Sequence, residues 1–305
     1  MFHLNNTSQT KARPKMIMIN NNVESKTKVQ VTPKIQDILN IQPKNNIIVL
    51  VSIFKNEGHI LEEWIEHYIK EGVDKFCLID NGSTDNYIEK IQKYINNGKV
   101  ILNIDNTLYQ QTQLYNKYYL DYCKTFNWVI VVDLDEFMYS RNGYKTMKEY
   151  LTSLDNSVSR IIIPWKMYGS SGFINQPDSV IQNFIERQKY TNYYVKTDKS
   201  QEVSFNFIKC IVRGSKLIKL DIHNSFLNND SIPNSTCKHK TENDLNKMNI
   251  HLNHYAIQSL DFFKNVKMIR GAADHLTSVN IRTLDYFKRY DHKDMIDEEL
   301  KNKKY

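Results

Sequence analysis

With 305 residues, 41% hydrophobic and 25% charged, the chain has a soluble globular balance and apolar material for one large α/β domain or two small ones. Its 41 lysines and arginines exceed 34 aspartates and glutamates, a net charge of +7 that favours a polyanionic substrate or an acidic membrane surface. No run approaches the ~20 apolar residues of a membrane span, and no basic stretch interleaved with aromatics, zinc-finger pattern or RNP signature points to nucleic acid.

Residues 1–44 are polar, with a weak apolar cluster from Ile35 to Ile41, and read as a flexible N-terminal extension. Order begins at NNIIVLVSIF, a buried strand over 46–53, since an unbroken apolar run needs cover on both faces. A helix is expected over 57–71, with Ile60, Leu61, Trp64, Ile65, Tyr68 and Ile69 on one face and His59 and His67 at its surface. Asn56 suits its N-cap and Gly72 its C-terminal stop. Strand KFCLID ends at Asp80, and NGSTD turns into a helix burying Tyr87, Ile88, Ile91, Tyr94 and Ile95. Strand KVILNI, a helix over 110–126 and the segment VIVVDLDEF follow. Three strand–helix repeats closed by a fourth strand predict an α/β fold with a parallel, doubly wound sheet and right-handed crossovers.

Beyond Tyr139 the alternation loosens. A short helix over 144–154 precedes strand RIIIPW and the loop KMYGSSGF. Strand-like runs over 205–212 and 216–220 suggest a mixed half, and an amphipathic helix spans 258–270. Residues 291–305 read as a charged, mobile tail, leaving 45–290 as the folded domain. Cys77, Cys123, Cys210 and Cys237 are widely spaced without a CxxC; Cys77 and Cys210 lie in apolar strand-like runs and read as small core residues, and a reducing compartment fits better than a disulfide framework. The sequons at Asn6, Asn81 and Asn234 therefore carry little weight, since no signal-peptide core precedes them.

The chemistry concentrates at strand ends. Val129 to Val132 run straight into Asp133, Asp135 and Glu136, and charge at the end of a buried strand is costly unless it is paired or holds a metal. Strand alternation lets Asp133 and Asp135 face the same way, at the end where open α/β sheets bind ligands. Oxygen ligands suit Mg²⁺ or Mn²⁺ rather than zinc; the bland alternative is a solvated loop or pairing with a basic side chain. The NGSTD turn offers backbone N–H groups to an anion and Asp80 as an acceptor for a base or ribose, or is simply a turn in which Ser83 or Thr84 caps the next helix.

Taken in order, IIVLVSIFKNEGHILEEWIEHY, LIDNGSTD, WVIVVDLDEF, WKMYGSSGF, KCIVRG and NHYAIQSLDFFKNVKMIRG resemble glycosyltransferase family 92 and the related family 2-like transferases, over about residues 46–272. The resemblance implies a GT-A fold, mainly parallel with a mixed C-terminal half, a UDP-sugar donor and a divalent cation, Mn²⁺ or Mg²⁺. It puts Lys55, Asn56 and Glu57 near the nucleotide, and Asp80, with Asn81, Gly82 and Ser83, near the uracil or ribose. Asp133 and Asp135 become the DxD pair, Asp135 the direct metal ligand, with His254 or His223 completing the metal site. Trp165 and the loop Gly169, Ser170, Ser171 and Gly172 would shape the sugar and acceptor pocket. Arg270 and Lys267 would meet the diphosphate, or else stabilise a helix C-terminus.

Inverting transfer needs a carboxylate base at the acceptor hydroxyl. Among Glu186, Asp178 and Glu202, Glu186 is favoured; its alternative is an ion pair with Arg187 or Lys189. The expected function is metal-dependent transfer of a hexose from a UDP-sugar to a hydroxyl of a glycan acceptor. Animal members of the family carry an N-terminal anchor that is not evident here, so cytoplasmic action, soluble or membrane-peripheral, is expected. Two rivals remain at this stage: a nucleotidyl- or phosphotransferase using the same carboxylates, and an inactive GT-A module that binds a glycan or a partner.

Overall fold

Ile48–Phe54 is apolar except for Ser52, and every residue of it is buried. Successive side chains of a strand point to opposite faces, and here they enter two separate cores. Ile48 and Leu50 pack with Trp64 and Tyr68, while Val49 and Val51 pack with Tyr115 and Tyr119. This strand, β1, is therefore central. The computed structural model describes residues 46–190, 194–196, 202–204, 208–228, 241–270 and 282–305. All that follows concerns the described residues of the unit Val31–Tyr305.

The first half alternates as expected: α1 (Gly58–Lys70), β2 (Lys75–Asp80), α2 (Tyr87–Asn96), β3 (Val100–Ile104), α3 (Gln111–Cys123) and β4 (Trp128–Val131). β2 and β4 flank β1 in parallel, and β3 extends the sheet beyond β2 in the same sense. Gly72 follows α1 with φ of +92°, the left-handed geometry that ends a helix.

The second half supplies β5 (Glu136–Ser140), α4 (Met147–Ser153), β6 (Arg160–Met167), β7 (Glu186–Arg187), β8 (Tyr194–Lys196), β9 (Glu202–Ser204), β10 (Ile208–Arg213), β11 (Leu217–Lys219), β12 (Phe226–Leu227), β13 (Ile250–His254) and β14 (Met295–Ile296). The main sheet has eight strands in the order β3-β2-β1-β4-β10-β6-β13-β5. β10 runs antiparallel to β4 and β6, β13 parallel to β6, and β5 antiparallel to β13. The α/β architecture anticipated for a GT-A fold, a parallel half joined to a mixed half, is the one observed. The helix expected over 258–270 is built from Leu260–Phe262, a π-helical Phe263–Lys267 and Met268–Arg270, and a further short helix spans Leu284–Tyr290. No helix among the described residues is long and apolar enough to cross a membrane.

Several local expectations need correction. VIVVDLDEF is not one strand: β4 stops at Val131 and β5 starts at Glu136, so Asp133 and Asp135 sit in a turn with Leu134 buried between them. His67 is buried, its Nε2 2.6 Å from the carbonyl oxygen of Met138. Ile88 is exposed rather than buried. Neither Asn56, Ser83 nor Thr84 caps a helix; Glu57 and Asn86 hold the N-cap positions without a side-chain bond. Asn81 is buried, its amide donating to the carbonyls of Asp105 and Thr107, which rules out a glycan there. Cys77, Cys123 and Cys210 are buried free thiols, and Cys237 lies outside the described residues.

The tail after Tyr290 is charged but docked, not mobile. Asp297 meets two buried cations, Lys166 Nζ at 2.8 Å and Arg187 Nε at 2.6 Å. Glu299 takes His251 Nδ1 at 3.1 Å and the Tyr139 hydroxyl at 2.8 Å, and Leu300 is buried. β14 pairs antiparallel with β7. Cations inside the fold need partners, and the tail provides them.

Candidate active site

The acidic turn lies at the carboxyl end of β4, and α1 holds it there. Trp64 Nε1 donates to the carbonyls of Asp133 at 3.2 Å and Glu136 at 3.0 Å, and the Tyr68 hydroxyl donates to the Glu136 carbonyl at 3.1 Å. Within the turn the Glu136 carboxylate accepts the backbone N–H of Asp133 at 3.0 Å. Two buried lysines face these acids. Lys209 of β10 lies 2.9 Å from Asp133 Oδ2 and 3.3 Å from Glu136 Oε2. Lys267, at the end of the π-helical segment, donates to Asp135 Oδ2 and to the carbonyl of Ala256. Asp133 Oδ1 accepts from the Gln111 amide at 3.1 Å.

Burial and pairing pull these carboxyls in opposite directions. Burial opposes ionisation of Asp135, yet Lys267 and then His254 hold it well below the usual carboxylate range. Asp133 is likewise lowered, Lys209 outweighing burial. For Glu136 burial wins over Lys209, and its carboxyl is pushed well above the usual value.

Whether a divalent cation fits can be judged at Asp135. Its Oδ1 is buried, accepts no hydrogen bond, and lies 3.4 Å from Nε2 of His254. Two ligand bonds of ~2.1 Å meeting at the metal near a right angle span ~3 Å, so oxygen and nitrogen stand about a cation apart. No cluster of three or more His, Cys, Asp or Glu fit for a metal occurs among the described residues. A Mg²⁺-type site needs only one or two carboxylates, water and substrate phosphates completing the shell. The donor set fits, with Lys267 sharing Asp135 through its other oxygen.

The two strand-end loops of the parallel half are stitched together. Asn56, at φ of +54°, donates its N–H to Ser83 Oγ at 2.9 Å and accepts from the Thr84 N–H at 2.7 Å. Asp85 accepts from the Gly58 N–H at 2.8 Å. Asp80 is turned inward, accepting from the Ser83 N–H at 2.7 Å and the Tyr87 hydroxyl at 3.0 Å. Gly82 keeps φ of +86° beside Asn106. Arg270 ties the 260–270 helix to this region: it grips both oxygens of buried Glu57, at 2.8 and 2.9 Å, and donates to the Lys55 carbonyl at 2.6 Å.

On the mixed side, Trp165 lies between the two histidines, its ring 4.2 Å from that of His254 and 5.6 Å from that of His223. His254 stands at Asp135; His223 is exposed, with Nδ1 3.1 Å from the Ile208 carbonyl. The GSSG loop is held by its surroundings. A β-carbon on Gly169 would fall 2.3 Å from the carbonyl oxygen of His292. Ser170 N–H donates to Asp291 at 2.7 Å, and Ser171 Oγ accepts the N–H groups of Ile185 and Glu186 at 2.9 and 3.0 Å. Glu186 is thus beside this loop, half-buried, and not ion-paired to Arg187, which turns to Asp297 and Glu242. Asp178 is exposed, and the side chain of Glu202 lies outside the described residues.

Lys209 and Gln111 went unnoticed in the sequence. The signal for Lys209 was there: a lone lysine within the apolar run IKCIV shares the burial of its neighbours, and a buried ammonium needs an acidic partner.

The acidic turn closes the parallel half of the sheet at its carboxyl ends, the place where open α/β sheets bind ligands. The model of glycosyltransferase family 92 matches residues 49–290, and the chain belongs to that family. No curated relative matches. Among solved structures, S. aureus TarS 1-349 is 14% identical with a TM-score of 0.32, covering 55% of this chain and 47% of its own. The same fragment in complex with UDP is 17% identical, with a TM-score of 0.33 and the same coverage. HddC from Yersinia pseudotuberculosis is 12% identical, with a TM-score of 0.28 over 55% of this chain and 76% of its own. The chain spans about half the length of the TarS fragment, and these likenesses are too distant to transfer a ligand.

Proposed function

We propose that the protein transfers a hexose from a UDP-sugar to a hydroxyl of a glycan acceptor, with inversion. The observation that carries this reading is the buried Asp135 oxygen facing His254 at 3.4 Å, at the carboxyl end of a central strand in a family 92 chain. Asp135 and His254, with Asp133, would hold Mn²⁺ or Mg²⁺, which as a Lewis acid offsets the charge on the departing diphosphate. Arg270 and Lys267 exchange their carboxylate partners for phosphate oxygens when the donor enters. The stitched loops of Lys55–Glu57 and Asp80–Ser83 receive the nucleoside. Glu186, next to the GSSG loop, takes the proton as the acceptor oxygen attacks the anomeric carbon; the bond from that carbon to the phosphate oxygen breaks. Trp165 closes the sugar side of the cleft.

A donor screen following UDP release tests this, using UDP-glucose, UDP-galactose and their N-acetyl derivatives with Mn²⁺ and simple glycosides. Acceptor-dependent release of UDP supports transfer. Release of pyrophosphate in place of UDP would replace this reading with nucleotidyl transfer.

A further inference from the structure

Between β13 and the 260–270 helix runs a chain of hydrogen bonds whose final donor has nothing to bind among the described residues. Ser259 is the N-cap of that helix, and its backbone N–H donates to Oε1 of Gln176 at 3.3 Å. A backbone N–H only donates, so Gln176 must present its oxygen there and its Nε2 elsewhere. That Nε2 lies 3.0 Å from Oε1 of Gln258, which also faces His59 Nε2 at 3.0 Å. The orientation of the Gln258 amide follows from the backbone outward: its oxygen is committed twice, and its NH₂ points away. Gln258 is fully buried, and its Nε2 has no hydrogen-bond partner among the described residues.

The backbone adds a second cost, since Gln258 has φ of +52°, a region that side-chain-bearing residues avoid. Strained backbone and unsatisfied buried donors recur where a ligand completes a site. The neighbours say which ligand. The carbonyl of Ala256, two residues earlier, accepts from Lys267, and His59 lies two residues after Glu57, the partner of Arg270. Gln258 therefore stands among the groups assigned to the donor. Building on the transferase reading above, we propose that the Gln258 amide donates to an oxygen of the nucleotide-sugar, a phosphate oxygen or a sugar hydroxyl.

The test is calorimetric titration of the full chain and of Gln258→Glu and Gln258→Met with UDP and with UDP-hexoses, all with Mn²⁺. Gln258→Glu keeps an oxygen for Gln176 and His59 but donates nothing; Gln258→Met controls for the added charge. Both should weaken binding on the order of tenfold, the value of one well-made hydrogen bond. Equal weakening of UDP and UDP-hexose identifies a phosphate contact, and weakening of UDP-hexose alone identifies a sugar hydroxyl. Unchanged affinity for all ligands in both variants overturns the proposal, as does loss of the melting transition in both, which would make the amide structural. Failure of the unsubstituted chain to bind any UDP compound overturns the transferase reading instead.

Discussion

Replacing Lys209 by Met should destabilise the protein more than almost any other single change near the site. Lys209 and Glu136 are both fully buried, with Nζ and Oε2 3.3 Å apart. At an effective dielectric of ~20, one such contact supplies about 5 kcal/mol of attraction, comparable with the several kcal/mol lost in desolvating each ion. The intact pair is therefore near neutral in stability, but removing Lys209 leaves Glu136 either charged and uncompensated or protonated far above its ordinary range, at ~3–5 kcal/mol. Asp133 contributes little to this penalty, because its side chain is 34% exposed and water can take over. At ~2–4 °C per kcal/mol for a domain of this size, the melting temperature should fall by roughly 6–20 °C. Adding Glu136→Gln removes the stranded charge, so the double variant should regain most of the loss. Calorimetric melting of the three proteins decides it. A single variant melting within ~2 °C of the parent, or a double variant no better than the single, would refute the buried-charge argument.

Asp135→Asn and Asp135→Ala should both abolish transfer and Mn²⁺ affinity and both leave the buried ammonium of Lys267 without its counter-charge, but Asn should cost less stability because its amide oxygen still accepts from Lys267; equal melting of the two variants would contradict this. His67, held near pKa 3 chiefly by burial, binds its proton more readily when unfolded, so stability should fall as pH drops from ~6.5 towards 3, by up to ~1.4 kcal/mol per unit. His67→Gln should flatten that slope in urea melts taken across this range, and an unchanged slope would assign it to other groups. Asp297→Ala leaves the buried Lys166 only Glu299, at 3.3 Å, and Arg187 only Glu242, and should cost about 1.5–3 kcal/mol, the value of a hydrogen bond to a charged group; a melting temperature equal to the parent's would show this contact of the tail to be dispensable.

The parallel half was legible because each of its segments answers to one local rule. β1, β2 and α1 fall where unbroken apolar runs and 3.6-residue periodicity put them, with KFCLID matched at both ends. Asp133 and Asp135 could be singled out because charge directly after four β-branched apolar residues is unusual. What escaped was set by distant contacts. EFMYS reads as the end of a strand, and only pairing with β13 makes it a strand of its own. The tail looks solvated until Lys166 and Arg187, buried more than 100 residues earlier in the chain, are seen to need Asp297. Gln258 could not have been found, since nothing in its neighbourhood of sequence announces a positive φ or the hydrogen bonds that orient its amide.

The central claim is that Asp135 and His254 take up a cation together with the donor's diphosphate. Calorimetric titration of Mn²⁺ into the protein, with and without UDP, tests it most directly. The account predicts that each ligand tightens the binding of the other and that Asp135→Asn removes this coupling. Binding of UDP unaffected by Mn²⁺, with Asp133 and Asp135 still paired to Lys209 and Lys267 in the complex, would contradict it.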